Sequence, residues 1–272
     1  MNEIARYGVR EALSARTDLE VKAEELRLLG YTTLDAGLSS ADLNALSDGF
    51  DRGRKDYEEI AAGKGVNLAA IQESDTIRVL PMVSPQFWAV VFNERLHELL
   101  SQLLGDYYIL NQVNGLINRG NGSKYGQSAY HRDLPYQHFV SSRPIAINAL
   151  FAVDDFTIEN GATRVIPASQ HMEAFPSDGT VKNLQHQVAV PRGTFIVLDC
   201  MLYHSGALNT TSADRRAVNH VFTIPMLRQQ LHLPSIIGDK MELSEWQKKI
   251  LGFGLDEFRS LEDWFAARAS KN

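Results

Sequence analysis

The stretch TFIVLDCMLYHSG, residues 194–206, decides the fold together with RRAVNHVFTI, residues 215–224. Both stretches are rich in β-branched and large apolar side chains, and a polar loop separates them. Such runs, bounded by turn residues, are typical of buried strands. We predict strands over residues 194–199 and 216–224. We also predict that the strand beginning at Arg215 pairs antiparallel with the strand before His204.

Five more short strands are predicted outward from this stretch, between clusters of Gly, Asn, Asp and Pro. They lie at residues 107–118, 129–133, 145–153, 163–166 and 187–190. Short strands without regular intervening helices favour an antiparallel sandwich or barrel over a parallel α/β sheet. The fold class is therefore mainly β.

Helical patterns precede this β core. Residues 20–29 show helical spacing and end at Gly30, and a short extended stretch, 31–34, follows. The segment Ser39-Ser40-Ala41-Asp42 has capping-box spacing and predicts a helix through about Tyr57. A long apolar stripe ended by Gly105 predicts a third helix over residues 85–104.

The expected organisation is one domain over residues 1–272. It has a helical part at 1–106, a β core at about 107–225 and a helical tail at 226–272. Six large apolar side chains of the tail are expected to pack: Trp246, Ile250, Leu251, Phe258, Trp264 and Phe265.

Composition narrows the class of protein. The net charge is -6 and the pI about 5.8, so nucleic acid is not an expected partner. Cys200 is the only cysteine, which excludes an intrachain disulfide and a Cys-rich metal site. No apolar run is long enough to span a bilayer, and the first residues carry no signal-peptide pattern. We expect a cytoplasmic protein without membrane contact.

The segment Tyr130-His131-Arg132-Asp133 carries the main chemical signal. In a strand, residues two apart share a face, so His131 and Asp133 can approach one ion. His204, at the end of its apolar run, is the expected third ligand. Two histidines and one carboxylate form the facial triad of non-haem Fe(II) oxygenases, although a structural histidine at position 204 is an alternative.

Arg215 lies eleven residues after His204. An Fe(II) held by three protein groups can chelate 2-oxoglutarate, whose distal carboxylate needs a fixed cation. A bidentate guanidinium suits that carboxylate best. Arg215 is the candidate, and a solvated turn arginine is the alternative.

In this order, the motifs resemble the phytanoyl-CoA dioxygenase family of Fe(II)- and 2-oxoglutarate-dependent oxygenases. The matching segments are His131-Arg132-Asp133, Val153-Asp154-Asp155, Glu159-Asn160-Gly161-Ala162-Thr163, Ile166-Pro167-Ala168-Ser169-Gln170-His171, residues 193–199 and residues 204–215. Two departures are Ala168 in place of the usual glycine and Gln170 inserted before His171.

The resemblance implies a double-stranded β-helix (a cupin-like jelly-roll) with helices packed outside. It also implies Fe(II) as cofactor and 2-oxoglutarate and O2 as cosubstrates, with Thr163 near the cosubstrate carboxylate and Gln127 as a possible donor to it. The implied reaction is hydroxylation of an unactivated C–H bond, with release of succinate and CO2. The retained carboxylate of Asp133 argues against halogenation.

A small-molecule substrate is expected, in a pocket that includes Tyr136, Phe139, Asn148 and Asn219. For the two asparagines, a structural role with satisfied hydrogen bonds is the alternative. The chain is expected to be a monomer or a homodimer. Two other functions stay open: a zinc-dependent hydrolase using the same three ligands, and a non-catalytic jelly-roll binding protein. Arg215 argues against the hydrolase, which has no need of a 2-oxoglutarate anchor.

Overall fold

Two antiparallel sheets form the centre of the molecule. The computed structural model describes residues 4–123, 126–134 and 139–269. The strands are β1 (Tyr31–Asp35), β2 (Thr76–Arg78), β3 (Ile109–Asn118), β4 (Ala146–Ala152), β5 (Thr163–Val165), β6 (His186–Val188), β7 (Thr194–Asp199), β8 (His204–Gly206) and β9 (Arg215–Thr223). The large sheet has the order β1-β7-β4-β9-β3-β2 and the small sheet the order β6-β5-β8. The predicted jelly-roll-like β core is confirmed.

Helices precede and follow the strands of the core along the chain, and one short helix lies between β5 and β6. They are α1 (Asp18–Leu29), α2 (Ser40–Gly63), α3 (Trp88–Val91), α4 (Glu94–Leu104), α5 (Asp178–Leu184), α6 (Leu233–Ile237), α7 (Glu245–Leu251) and α8 (Leu261–Ala269). The capping box predicted at Ser39 and Asp42 is present at the start of α2. Among the described residues, no helix has both the length and the apolar character that crossing a bilayer requires.

The helix predicted over residues 85–104 is wrong in its continuity. The segment forms a 3-10 turn at Pro85–Phe87, then α3, then α4. Asn93 interrupts it: its side chain accepts from the backbone N–H of Leu96 at 3.0 Å and donates to the Ala36 carbonyl at 2.8 Å. Because this side chain caps a new helix and also binds the turn after β1, the chain starts α4 in a new direction.

The pairing predicted between the strand of Arg215 and the strand before His204 is also wrong. β9 pairs with β3 and β4, whereas β7 pairs with β1 and β4. β8 belongs to the small sheet, where it pairs with β5. The polar loop after β8 therefore carries the chain from one sheet to the other, and no hairpin forms there.

Alternation along β9 separates a packed face from a pocket face. Val218 and Phe222 point to the helix layer, where they join a core that also contains side chains of α1, α2, α4 and α7. Arg215, Ala217 and Asn219 point between the two sheets and line a cavity. Because side chains alternate along a strand, β9 contributes one set of residues to the core and the other set to the lining of the candidate site.

The tail packs less than expected. Ile250 and Leu251 are buried in α7, but four predicted packing positions are at least 40% exposed: Trp246, Phe258, Trp264 and Phe265. α8 contributes no buried residue.

Candidate metal and cosubstrate site

Three potential metal ligands converge at the edge of the small sheet. Asp133 Oδ1 lies 4.0 Å from His131 Nε2 and 3.7 Å from His204 Nε2. One atom from each side chain can be chosen so that all lie within 4.8 Å of one another. The three side chains could hold one ion, with small movements that bring the ligand atoms within about 4 Å of one another, the separation that two bonds of about 2 Å allow.

Backbone hydrogen bonds bring the three residues together. His131 N–H donates to the His204 carbonyl at 2.9 Å, and His204 N–H donates back to the His131 carbonyl at 3.1 Å. Asp133 N–H donates at 3.0 Å to the carbonyl of Cys200, which follows β7. The strand predicted over residues 129–133 is therefore wrong: His131 makes one isolated bridge to His204, and the chain then bends toward Cys200.

Both imidazoles are oriented by main-chain carbonyls. Nδ1 of His131 lies 2.9 Å from the Ala129 carbonyl, and Nδ1 of His204 lies 3.0 Å from the Leu202 carbonyl. A carbonyl oxygen can only accept, so each Nδ1 carries the hydrogen and each Nε2 presents its lone pair toward Asp133. Burial lowers the pKa of His131, and the neighbouring His204 lowers it further. The neutral form that a metal requires is thus favoured.

Asn148 orients the carboxylate. Its Nδ2 donates to Asp133 Oδ2 at 2.9 Å, which leaves Oδ1 directed at the two histidines. Asn148 lies on β4, is 5% exposed and lines the cavity. Its amide nevertheless contacts the proposed ligand, a role that the sequence did not indicate.

Residues beside the ligands attach the site to the turn at Ser169–His171. The Arg132 guanidinium carbon lies 4.1 Å from the centroid of the Tyr203 ring, and Nη2 donates to the carbonyls of Ser169 and Met172. Ala168, where the family motif has glycine, adopts φ +63° and ψ +5°. The substitution therefore keeps the left-handed backbone of the turn, at some conformational cost.

The cavity next to the three ligands measures about 280 Å³. Arg215 enters it from β9 and Thr163 from β5 of the opposite sheet, and both are 4% exposed. The Arg215 guanidinium carbon lies 4.0 Å from the centroid of the Phe156 ring, so the guanidinium is supported from one face. Gln127 and Asn219 also line the cavity.

Two predicted pocket residues, Phe139 and Tyr136, are not among the described residues that line the cavity. Phe139 is 41% exposed and is not among the residues that line the cavity. Tyr136 lies outside the described residues.

Sequence reasoning missed several polar residues that line the cavity, among them Arg78, Gln112, Asn114 and Gln230. Gln112 and Asn114 stand two apart on β3 on either side of Val113, and this spacing was a usable signal. Arg78 and Gln230 are brought to the cavity by long-range pairing, for which the local sequence gives no signal.

Several proteins of known sequence or structure are similar to this chain. It is 27% identical to Rv1501 of Mycobacterium tuberculosis over 256 residues, which is 92% of each chain. It is 31% identical to the dioxygenase ALT11 of Alternaria alternata over 180 residues, 59% of this chain and 56% of the relative.

Among solved structures, the chain superposes on EctD from S. alaskensis, crystallised with 2-oxoglutarate and 5-hydroxyectoine. The TM-score is 0.65 at 21% identity, over 83% of this chain and 81% of EctD. This likeness shows a shared fold. Residues 26–217, more than two thirds of the chain, match the family described as phytanoyl-CoA dioxygenase (PhyH). The chain belongs to the phytanoyl-CoA dioxygenase family of Fe(II)- and 2-oxoglutarate-dependent oxygenases.

Proposed function

We propose that the protein hydroxylates a C–H bond of a small-molecule metabolite, with Fe(II) as cofactor and 2-oxoglutarate and O2 as cosubstrates. The single observation that carries this proposal is the convergence of two imidazole Nε2 atoms and one carboxylate oxygen beside a cavity that also contains Arg215. Bound Fe(II), together with 2-oxoglutarate and O2, supplies the oxidising chemistry, and succinate and CO2 are its by-products.

The chain's own residues hold and orient the reactants. His131, Asp133 and His204 provide three neighbouring ligands, and in an octahedral arrangement the remaining positions are open to cosubstrate and O2. The hydrogen bonds to Ala129, Leu202 and Asn148 fix which atom of each ligand faces the ion.

Arg215 is the proposed anchor of the distal carboxylate of 2-oxoglutarate. Its guanidinium is buried, supported by Phe156, and in the same cavity as the ligands. Burial strengthens a charge-assisted hydrogen bond because water competes less for either partner. Thr163, on the opposite sheet, is proposed to donate its hydroxyl to the same carboxylate, and Gln127 is a further candidate donor.

Succinate formation tests this proposal directly. Metal-stripped protein is supplied with Fe(II), ascorbate, 2-oxoglutarate and air, and succinate is quantified by mass spectrometry. We expect slow succinate release without added substrate, and its loss in Asp133→Ala. A zinc hydrolase or a non-catalytic binding protein would form no succinate.

The role of Arg215 has its own matched comparison. Arg215→Met removes the proposed anchor and should raise the KM for 2-oxoglutarate by about 10- to 100-fold, the range expected when a charge-assisted hydrogen bond is lost. Arg164→Met is the control, since Arg164 lies on β5 beside Thr163 but does not line the cavity. Equal KM values for the two variants would contradict the assignment.

A further inference from the structure

A second group of polar side chains lines the cavity and has no role in the proposed iron chemistry. It consists of Arg78 on β2, Asn114 on β3, Asn219 on β9 and Gln230, and is called the amide cluster here. Arg78 pairs with Asn114, and Asn114 pairs with Asn219. Since directly paired residues point to the same face of an antiparallel sheet, these three side chains form one row across three strands.

The groups that the amide cluster leaves for a ligand are donors. Asn219 Oδ1 accepts from the backbone N–H of Asn114 at 3.1 Å, and its amino group has no acceptor among the described residues. Gln230 Oε1 accepts from Arg78 Nη1 at 3.0 Å, and its amino group likewise has no acceptor in the described part of the chain. Arg78 uses three of its five N–H groups on Glu73 and Gln230, and a fourth faces the Asn114 side-chain oxygen in the better-satisfied orientation of that amide, so within the described residues one is left for another acceptor.

The charge of Arg78 is already compensated. Its Nε and Nη2 donate to the two carboxylate oxygens of Glu73, at 2.8 Å for Nε. An anion that approached this guanidinium would also meet the negative charge of Glu73. The amide cluster therefore suits an uncharged oxygen, such as a carbonyl or hydroxyl, better than a carboxylate.

The amide cluster and the proposed cosubstrate anchor lie in different rows of the sheet. Arg215 pairs with Asn118, four residues along β3 from Asn114. Four strand residues span about 13 Å. Because Arg215 is the better placed cation for the cosubstrate, the amide cluster remains available to the second organic reactant.

The residue after Arg78 has a strained backbone conformation, which supports a functional position for Arg78. Val79 adopts φ +49° and ψ +51° and is 5% exposed. A β-branched residue is rarely found in this left-handed region. Such backbone strain recurs at positions that the surrounding structure holds for function.

We infer that the amide cluster is a substrate-recognition site for neutral oxygen atoms. The substrate would present carbonyl or hydroxyl groups to Arg78, Asn219 and Gln230 while its reacting carbon faces the three metal ligands. This inference rests on the proposed oxygenase function and narrows it to neutral, oxygen-bearing metabolites. A carboxylic acid or an acyl-CoA thioester would gain no charge pairing at this row.

A turnover screen tests the inference. Succinate release is measured with three sets of compounds matched in size: neutral polyols, lactones and ketones; carboxylic acids; and saturated acyl-CoA thioesters. We expect stimulation by members of the neutral set. For those members, Arg78→Met should raise KM by about 10- to 100-fold.

Two further variants keep the test decisive. Arg54→Met is the control, because Arg54 on α2 also pairs with a glutamate, Glu58 at 3.0 Å, and with Asp214, but does not line the cavity. If Arg78→Met leaves Glu73 uncompensated and does not fold, the double variant Glu73→Gln/Arg78→Gln removes both charges together.

The possible outcomes separate the two proposals. Wild-type protein that forms no succinate under any condition contradicts the proposed oxygenase function. Wild-type protein that forms succinate but is stimulated only by acids or thioesters, or by no member of the neutral set, overturns the recognition site alone. An unchanged KM in the Arg78 variants overturns it as well.

Discussion

At the residue scale, the two carboxylate oxygens of Asp133 make different contacts. Oδ1 faces the two histidines, whereas Oδ2 accepts a hydrogen bond from Asn148. Without that bond, the carboxylate could rotate about its Cβ–Cγ bond and turn its oxygen away from the two imidazoles. Mutation of a group that orients a metal ligand in this way typically lowers metal affinity or activity by about 10- to 100-fold.

We therefore predict that Asn148→Ala weakens metal binding by about 10- to 100-fold. Titration with Co(II), followed by its absorption bands, measures the dissociation constant in the absence of turnover. Asn111→Ala is the control, because Asn111 also donates a side-chain hydrogen bond to a carbonyl, that of Arg228, but does not line the cavity. A wild-type dissociation constant in Asn148→Ala would show that the bond does not orient the ligand.

The sequence predicted residues whose spacing carries a chemical meaning and missed those that depend on pairing. His131, Asp133, His204 and Arg215 were chosen from local order, and the structure places them around one cavity. Arg78 reaches the cavity only because β2 pairs with β3. No local pattern near position 78 reveals that pairing, since it depends on the register of a distant strand.

At the element scale, the turn between β4 and β5 packs closely against the chain that follows β8. Gly161 has φ +81°, and a Cβ atom there would lie 2.3 Å from the Ala207 carbonyl oxygen, just after β8. The turn is closed by Asn160, whose side chain accepts from the Thr157 N–H at 2.8 Å. Glycine is thus required both by the backbone conformation and by the close approach.

We predict that Gly161→Ala lowers the free energy of unfolding by about 1–3 kcal/mol from backbone strain, and further through the contact with Ala207. Gly179→Ala is the matched control: it lies in α5 with open space around its Cβ position, and should be neutral or stabilising by up to about 1 kcal/mol. Urea unfolding measures both. Equal stability of the two variants would contradict the role assigned to Gly161.

The elements themselves were predicted better than their connections. The period-2 runs and turn residues indicated most strands of the core, and β7 has the predicted bounds. Which strand lies beside which was not readable, as the wrong pairing of β9 shows. Strand partners are chosen by burial over the whole sheet, whereas the predicted hairpin used only the short distance along the chain.

At the scale of the whole molecule, helices and the large sheet share one continuous core. That the chain forms a single domain over residues 1–272 stays a prediction. Two histidines are buried within the helix and sheet layers: His97, which bonds to Tyr108 and the Val91 carbonyl, and His220, which bonds to the Ala149 carbonyl. Burial lowers the pKa of each to about 4.

These histidines predict a loss of stability in mild acid. In the unfolded chain a histidine titrates near 6.5, so between about pH 6.5 and 4 the unfolded state binds protons that the folded state does not. Their stabilising contribution is present above pH 6.5 and is lost as the pH falls. Each histidine adds up to about 1.4 kcal/mol per pH unit to this slope. Urea unfolding as a function of pH measures it.

His97→Gln provides the comparison, because glutamine can form hydrogen bonds but does not titrate. We expect a shallower fall in stability between pH 6 and 4.5 than in the wild type. Asp199 acts in the opposite sense over part of this range, since burial raises its pKa to about 6, and it is unchanged in the variant. An identical slope in the two proteins would show that His97 does not contribute.

The carbonyl groups that orient the two ligand histidines belong to residues only two positions earlier in the chain. The nitrogen donors are therefore set before any ion arrives, and their arrangement does not discriminate among divalent transition metals. In the Irving–Williams order, Cu(II), Ni(II) and Zn(II) bind such donors at least as tightly as Fe(II). Metal supply during biosynthesis and purification will then decide occupancy, and one chain grown in two media can be isolated as an active or an inert protein.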